Sequence, residues 1–338
     1  MSSLVIQTAF LGDVVLTTPL LDAVAARDGA PVDVVTTKTA APLLETHPSV
    51  RRVFSYDKHG ADRGIGGLTR LARALARERY RAAYLPHRSL RSALAAVLAR
   101  IPRRVGFDDG WRVLYTESRP RAKHGQESDR LLGLVDAPRG KFPIRLYPPP
   151  AALARALAFL GAAGITGDFI AVAPGSIWGT KRWPYYDQLA AELAARTAVV
   201  AIGGGEDRAL CDQVLAGMRR TSGAYPVANA AGELSLLEST ALLAQARLLV
   251  TNDTAPLHLA TAVDTPVVAL FGPTVPSFGF APVGPEDMVL EVDGLSCRPC
   301  STHGPRTCPL GHHRCLRDLS VARVLTAIEN VRALHRRH

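Results

Sequence analysis

Short apolar runs of four or five residues alternate with helix-length amphipathic runs along the whole chain. That alternation limits the fold to parallel sheets with crossover helices. Leu4 to Thr8 reads as a strand and Val14 to Ala26 as the helix after it. Val32 to Thr36 follows as a strand, Gly67 to Arg79 as a helix, Ala82 to Leu85 as a strand and Arg88 to Arg100 as a helix. A basic, irregular stretch then leads to Tyr147-Pro148-Pro149-Pro150, which reads as a stiff spacer. The second half restarts the pattern. Phe169 to Ala173 is a strand, Tyr186 to Arg196 a helix, Ala198 to Ile202 a strand and Asp207 to Met218 a helix. Ser235 to Ala246 (helix), Arg247 to Thr251 (strand), Ala255 to Ala262 (helix) and Val267 to Phe271 (strand) complete it. With 338 residues the chain exceeds one core, so two doubly wound α/β domains are expected, 1–150 and 151–318, with a last helix over 319–338. Ligands of such sheets bind at the carboxyl ends of strands, so a cleft between the halves would be lined by strand-to-helix turns.

Hydrophobic residues at 47% and charged residues at 21% give enough apolar material for real cores and exclude a disordered or fibrous chain. The net charge of +10 is unevenly spread: residues 1–150 hold 24 Lys+Arg against 14 Asp+Glu, and residues 151–338 hold 16 of each. A polyanionic partner of the first half is implied. Residues 63–81, with Arg63, Arg70, Arg73, Arg77, Arg79 and Arg81, read either as a solvated helix face or as a surface for anionic lipid headgroups. Nucleic-acid binding is disfavoured, because Tyr80 and Tyr84 are poor candidates for base stacking. The first residues lack the basic region and cleavage site of a signal peptide, so a cytoplasmic chain is expected. The uncharged run 265–285 is broken by five prolines and cannot be a spanning helix.

The turns carry the chemistry. Asp13, in Phe10-Leu11-Gly12-Asp13, is placed to accept a proton from a substrate hydroxyl or to cap the following helix. There is neither a Gly-x-Gly-x-x-Gly nor a Gly-Lys-Ser/Thr loop, which weighs against dinucleotide dehydrogenases and P-loop nucleotidases. Thr180 and Lys181, in PGSIWGTKRWP at 174–184, offer a hydroxyl and a point charge to phosphate oxygens, or form a plain surface loop. Gly203-Gly204-Gly205-Glu206 admits a nucleotide, with the acid on a ribose hydroxyl. Asn252, Asp253 and Thr254 precede Ala255 and Pro256 as a helix start, an anion site to which His258 adds a donor unless it is structural.

Taken together, LGDVVLTTPLL at 11–21, PGSIWGTKRWP at 174–184 and NDTAPLHLATAVDTPVVALFGPT at 252–274 resemble the bacterial ADP-heptose:lipopolysaccharide heptosyltransferases, inverting transferases of the two-domain GT-B fold. LPHRSLRSALAA at 85–96 is most similar to the type II enzymes. The resemblance implies Asp13 as the base and Thr180 and Lys181 on the diphosphate. It places Asp253, Thr254, Ala255 and His258 at the donor-binding helix start, Glu206 on the ribose and Leu234 against adenine. The family commonly has glycine at the position of Ala255, which narrows backbone access there. It also implies ADP-heptose as donor, a heptosylated Kdo-lipid A acceptor, and a monomer at the cytoplasmic face of the inner membrane. The last helix would cross back to the first domain. The basic first half is then the acceptor domain, with Arg88, Arg91, Arg103 and Arg104 as its candidate contacts. No Asp-x-Asp metal motif is present, so no catalytic cofactor is expected and Lys181 with the Asp253 helix start takes the leaving-group charge.

Cys297-x2-Cys300-x7-Cys308-x6-Cys315 holds four thiols within 19 residues, with His303, His312 and His313 among them. The second pair lacks a tight Cys-x2-Cys knuckle, so reduced structural thiols are the first reading and a structural zinc site the second. Cys211 reads as a buried helix residue.

Overall fold

The computed structural model describes residues 2–216 and 225–335; the expected helix end at Met218 lies outside them. The chain divides into two compact units, Met1–Tyr147 and Pro148–His338. The first contains strands β1 (Ser3–Gln7), β2 (Val32–Thr36), β3 (Val50–Ser55), β4 (Ala82–Leu85), β5 (Arg103–Phe107) and β6 (Glu117–Arg119). They form one parallel sheet in the order β3-β2-β1-β4-β5-β6. The connecting helices are α1 (Leu11–Leu16), α2 (Thr18–Asp28), α3 (Ala41–Glu45), α4 (Gly64–Glu78), α5 (Leu90–Leu98) and α6 (Glu127–Leu132).

Both faces of this sheet are covered, and strand alternation decides which residue serves which face. Leu4 and Ile6 join a core with Leu68, Leu71 and Leu75 of α4, whereas Val5 joins Leu20, Leu21 and Val24 of α2. Interior strands are therefore apolar throughout. The edge strands β3 and β6 carry Arg51, Arg52, Glu117 and Arg119, the charged composition that discourages further pairing.

The single helix expected over Val14 to Ala26 is two helices, split at Thr17. Pro19 has no N–H for Val15 O, which accepts the Thr18 hydroxyl at 2.9 Å instead, and the Thr17 hydroxyl donates to Asp13 O at 2.7 Å. Pro150 begins α7 (Pro150–Ala162), so the proline run ends as the first turn of a helix, where its missing N–H costs nothing.

The second unit contains β7 (Phe169–Ala173), β8 (Ala198–Ala201), β9 (Val227–Asn229), β10 (Leu248–Asn252), β11 (Val267–Phe271) and β12 (Met288–Glu291). Their order is β12-β11-β10-β7-β8-β9, all parallel. Counted from each unit's own first strand, both sheets have the order 3-2-1-4-5-6 of dinucleotide-binding folds. Here the helices are α8 (Tyr186–Ala194), α9 (Arg208–Leu215), α10 (Leu236–Leu243), α11 (Ala255–Thr261), α12 (Arg314–Arg317) and α13 (Val321–His335). Val324, Ala327, Ile328 and Val331 of α13 are buried with Leu189 and Leu193 of α8 in this unit's core.

Gly106 sits in β5 directly under the Tyr115 ring, and a Cβ there would run into the ring's edge. Tyr115 is buried, so moving its ring aside would disturb the core around it. Gly106→Ala should lower stability by about 1–3 kcal/mol in urea denaturation.

Candidate active site

In a sheet of this order the crossovers leave the two central strands in opposite directions, opening a crevice at their carboxyl ends. In the first unit those strands are β1 and β4. Thr8, just past β1, has its Oγ1 3.3 Å from His87 Nε2, just past β4. Asp13 stands in the first turn of α1, its Oδ2 accepting the Phe10 N–H at 3.1 Å. The Gln7 side chain donates to the Thr17 hydroxyl at 3.1 Å, tying β1 to the residue that fixes the Asp13 carbonyl. Burial, seconded by the Glu127 carboxylate, pushes the Asp13 pKa up to about 6, against the Phe10 N–H and Arg121. A carboxylate tuned in this way is ionised at neutral pH and is a stronger proton acceptor than an exposed aspartate.

Basic groups gather along the same edge. Lys58 follows β3, donates to Thr8 O at 2.7 Å, and is held below its ordinary pKa by burial and by the Arg91 charge. Arg91, at the start of α5, donates to Tyr56 OH at 3.1 Å. Arg88 stands 3.9 Å from Asp109 and is largely exposed. Arg121, two residues past β6, lies 4.7 Å over the Phe107 ring and pairs with the buried Glu127. Burial, then the Lys58 charge, brings His87 down to about 4, so it is neutral at pH 7.

Arg103 and Arg104 are not part of this group. They open β5 and so lie at the amino edge of a parallel sheet, a strand length from the turns. Arg103 is held by Glu117 at 2.6 and 3.0 Å, and Arg104 donates to Leu114 O and Ile101 O at 2.8 and 2.6 Å. Lys58 and Arg121 take the positions expected of them. The sequence conceals these two because each follows an edge strand too polar to be read as a strand. Tyr80 and Tyr84 are buried and unavailable to stack on bases.

In the second unit the central strands are β7 and β10. Lys181, in the turn after β7, places Nζ 2.6 Å from Asp253 Oδ2 and 3.0 Å from Asp253 O, just past β10. Thr274, after β11, donates to the same Oδ2 at 2.7 Å. Lys181 and Asp253 are both buried, so the pair is a fixed charge arrangement. Among the described residues two of the three ammonium donors are used, which leaves one for a ligand oxygen. His258 is buried close by and burial pulls its pKa down to about 4, so it offers a neutral N–H.

Asn252, outside the predicted site, is the staple of this cluster. Its Nδ2 donates to Pro174 O at 3.0 Å, and its Oδ1 accepts from Trp183 N at 3.2 Å and from Tyr186 OH at 3.3 Å. The helix beginning at Ala255 is only seven residues long, so its dipole adds little beside Lys181. Thr254 is the N-cap residue, yet its hydroxyl donates back to Asn252 O at 3.4 Å and makes no capping bond to the helix. The Thr180 hydroxyl is committed to Pro305 O, so its proton is not offered to a phosphate.

The glycine turn after β8 is packed against the 230–233 turn, where a Cβ on Gly232 would sit 2.9 Å from Gly205 Cα. This brings exposed Glu206 and buried Leu234 onto adjoining loops. Asp207, next to Glu206, is the acid folded into the turn, accepting the Gly204 N–H at 3.1 Å. Among the described residues, no three His, Cys, Asp or Glu side chains are gathered at metal-ligand distance.

Each unit thus carries a polar cluster at the carboxyl edge of a sheet of the same strand order. Residues 68–310, which include Lys181, Asp253 and His258, match the model of glycosyltransferase family 9 (heptosyltransferase). The chain is 30% identical over 298 residues to lipopolysaccharide heptosyltransferase 2 of Salmonella typhimurium, covering 82% of this chain and 84% of that protein. The structure of Escherichia coli ADP-heptose lipopolysaccharide heptosyltransferase II superposes with a TM-score of 0.82 at 25% identity, covering 99% of this chain and all of that one. A family 9 transferase from Veillonella parvula shares the fold with a TM-score of 0.86 at 22% identity, over 98% of this chain and 96% of that one. The chain belongs to glycosyltransferase family 9 and is a glycosyltransferase.

Lys181→Met leaves the Asp253 carboxylate buried without a counter-charge and should cost about 3–5 kcal/mol in urea denaturation. Adding Asp253→Asn, whose amide still accepts from Thr274, should recover most of that loss. A single substitution as stable as the parent would show that the pair is not held as described.

Proposed function

We propose that the protein transfers heptose from ADP-heptose to the lipopolysaccharide inner core, with a heptosylated Kdo-lipid A as acceptor and inversion at the anomeric carbon. The observation that carries the reading is Asp13: a carboxylate at the carboxyl edge of the first sheet, tuned to about 6, beside a rim of Lys58, Arg88, Arg91 and Arg121. Asp13 takes the proton from the acceptor hydroxyl as that oxygen attacks. The rim holds the carboxylates and phosphates of the acceptor.

The leaving ADP gathers charge on its diphosphate, and the remaining Lys181 donor with the His258 N–H meets it. Asp253 acts by fixing Lys181, and Thr180 and Ala255 contribute backbone. Glu206 and Leu234 take the ribose and the adenine. Charge compensation rests on Lys181 and needs no cofactor.

Among the described residues, no helix is long and apolar enough to cross a membrane. The exposed arginines of α4, Arg70, Arg73 and Arg77, favour peripheral attachment to anionic lipid at the cytoplasmic face.

Incubation with ADP-heptose and Kdo-lipid A, with and without a first heptose, followed by mass spectrometry of the lipid, tests the reading. Gain of one heptose on the heptosylated acceptor alone is expected; no transfer to either would refute it.

Asp13 also has a pH signature. kcat/KM should rise through about pH 6 and level off above it, and Asp13→Asn should lower kcat by ~10²–10⁴ and lose that limb. The folded pKa is raised, so the Asp13 contribution to stability is complete below the ordinary carboxyl range and is lost as pH rises through about 6. Asp13→Asn should therefore be more stable than the parent at pH 8, by on the order of 1 kcal/mol after solvent screening. The difference should close in acid.

A further inference from the structure

Between Glu291 and Arg314 the chain forms no helix or strand, yet the later part of this long loop is laid over the turn that carries Lys181. A loop of this length without its own secondary structure is most often functional. Pro305 O accepts the Thr180 hydroxyl and, at 3.4 Å, the Thr180 N–H. Gly179 has no room for a side chain, since a Cβ there would sit 2.5 Å from Arg306 O. Gly304 is equally close-packed: its Cβ would lie 2.9 Å from Pro273 Cγ, 3.3 Å from Thr180 Oγ1 and 3.5 Å from Lys181 Cγ. The loop backbone therefore lies against the aliphatic stem of Lys181, which helps keep the Lys181–Asp253 pair out of water. The His303 ring stacks on Trp178 with centroids 6.3 Å apart, and the Cys300 N–H donates to Pro273 O at 2.8 Å, next to the threonine that holds Asp253.

The side chain that closes this contact is His313. Its Nε2 lies 2.8 Å from Thr180 O, and a carbonyl only accepts, so Nε2 carries the proton and donates. Thr180 thus has its N–H, its hydroxyl and its carbonyl all bonded to Pro305 and His313, and that carbonyl belongs to the peptide joining it to Lys181. His313 is itself held from behind. Its carbonyl accepts the N–H groups of Leu316 and Arg317 at 3.2 and 3.0 Å as the residue before α12, and Leu316 is buried at the end of β11, where a Cβ on Gly272 would sit 2.5 Å from Leu316 Cγ. The His313 backbone is left-handed, at φ 51° and ψ 30°, a conformation that glycine takes more readily than a residue with a Cβ. A side chain in such a place, bonded to a site turn, points to a task for the ring. Beyond the turn, Trp183 Nε1 donates to Leu319 O at 2.8 Å and Tyr185 OH to Arg317 O at 3.2 Å, so the stretch 178–185 is registered on residues 303–319.

We propose that His313 is a positioning residue for donor binding. Its ring locks residues 303–313 onto Thr180 and so fixes the Lys181 ammonium at the place where a diphosphate meets it. The consequence for the donor rests on the reading of Lys181 as the diphosphate contact; the lock itself does not.

Lys181 is the only lysine after residue 150, so its exposure can be read by acetylation with acetic anhydride and peptide mass spectrometry. In the full-length protein, His313→Gly removes the ring and relieves the left-handed backbone. It should raise the acetylation rate of Lys181 at least about fivefold, the worth of one internal hydrogen bond, with a melting temperature within about 4 °C of the parent's. An unchanged rate would overturn the lock. The same variant should bind ADP at least about fivefold more weakly by calorimetry, while adenosine, which lacks the diphosphate, changes by less than about twofold. A merely structural role would weaken both alike, and that result, or unchanged ADP affinity, would overturn the positioning role. His313→Gln, whose amide N–H can reach Thr180 O as Nε2 does, should bring ADP affinity back to within about threefold of the parent's. A loss equal to that of His313→Gly would also overturn the role. Should His313→Gly not fold, amide exchange of the parent gives the test: ADP should slow exchange in 178–182 and 305–313 together, and protection of the first stretch alone would overturn the proposal. A Lys181→Ala protein with unchanged ADP affinity would instead refute the donor reading, and the acetylation rates would still decide the lock.

Discussion

The parallel order 3-2-1-4-5-6, used once in each unit, is the constraint on which the rest depends. It sends successive crossovers to opposite faces from the central pairs β1/β4 and β7/β10, so polar groups collect at one edge of each sheet while the strands themselves stay buried. Thr8 and His87 meet there in the first unit, and Lys181 and Asp253 in the second. Each of these residues comes from a turn, where backbone geometry is freer than in the strands that position it.

The same topology is used with two electrostatic characters. At the first edge Lys58 and Arg91 are bonded to neutral oxygens and the Asp13 pKa is raised to about 6, an arrangement suited to capturing an anionic molecule and accepting a proton from it. At the second edge the cation is matched within the protein. Lys181 is buried against Asp253, and Asp253 against Thr274, so the ammonium is held in one place before any ligand arrives. Fixed charge of this kind needs little reorganisation when a diphosphate leaves. The overall +10 therefore says less than its division: the excess belongs to the unit with the basic rim.

The central strands and their turns were legible in the sequence because buried parallel strands are continuous apolar runs that end abruptly in Gly, Asp, Asn or Thr. Asp13, Lys181 and Asp253 could be placed for that reason. Edge strands β3 and β6 were not legible, since half-exposed strands carry arginine and glutamate, and with them went the positions of Lys58 and Arg121. Arg103 and Arg104 look like surface charge in the sequence, yet strand direction puts them at the opposite edge and neighbouring carbonyls and Glu117 occupy them. Thr180 illustrates a different limit: its hydroxyl is taken by Pro305, 125 residues further along the chain, a contact that no local pattern announces.

The account separates proton transfer, assigned to Asp13, from donor binding, assigned to Lys181 and its neighbours. Calorimetric titration of the Asp13→Asn protein with ADP-heptose tests that separation most directly. The account predicts a dissociation constant within about twofold of the parent's in a protein that no longer turns over. A dissociation constant weakened in step with the loss of turnover would contradict it.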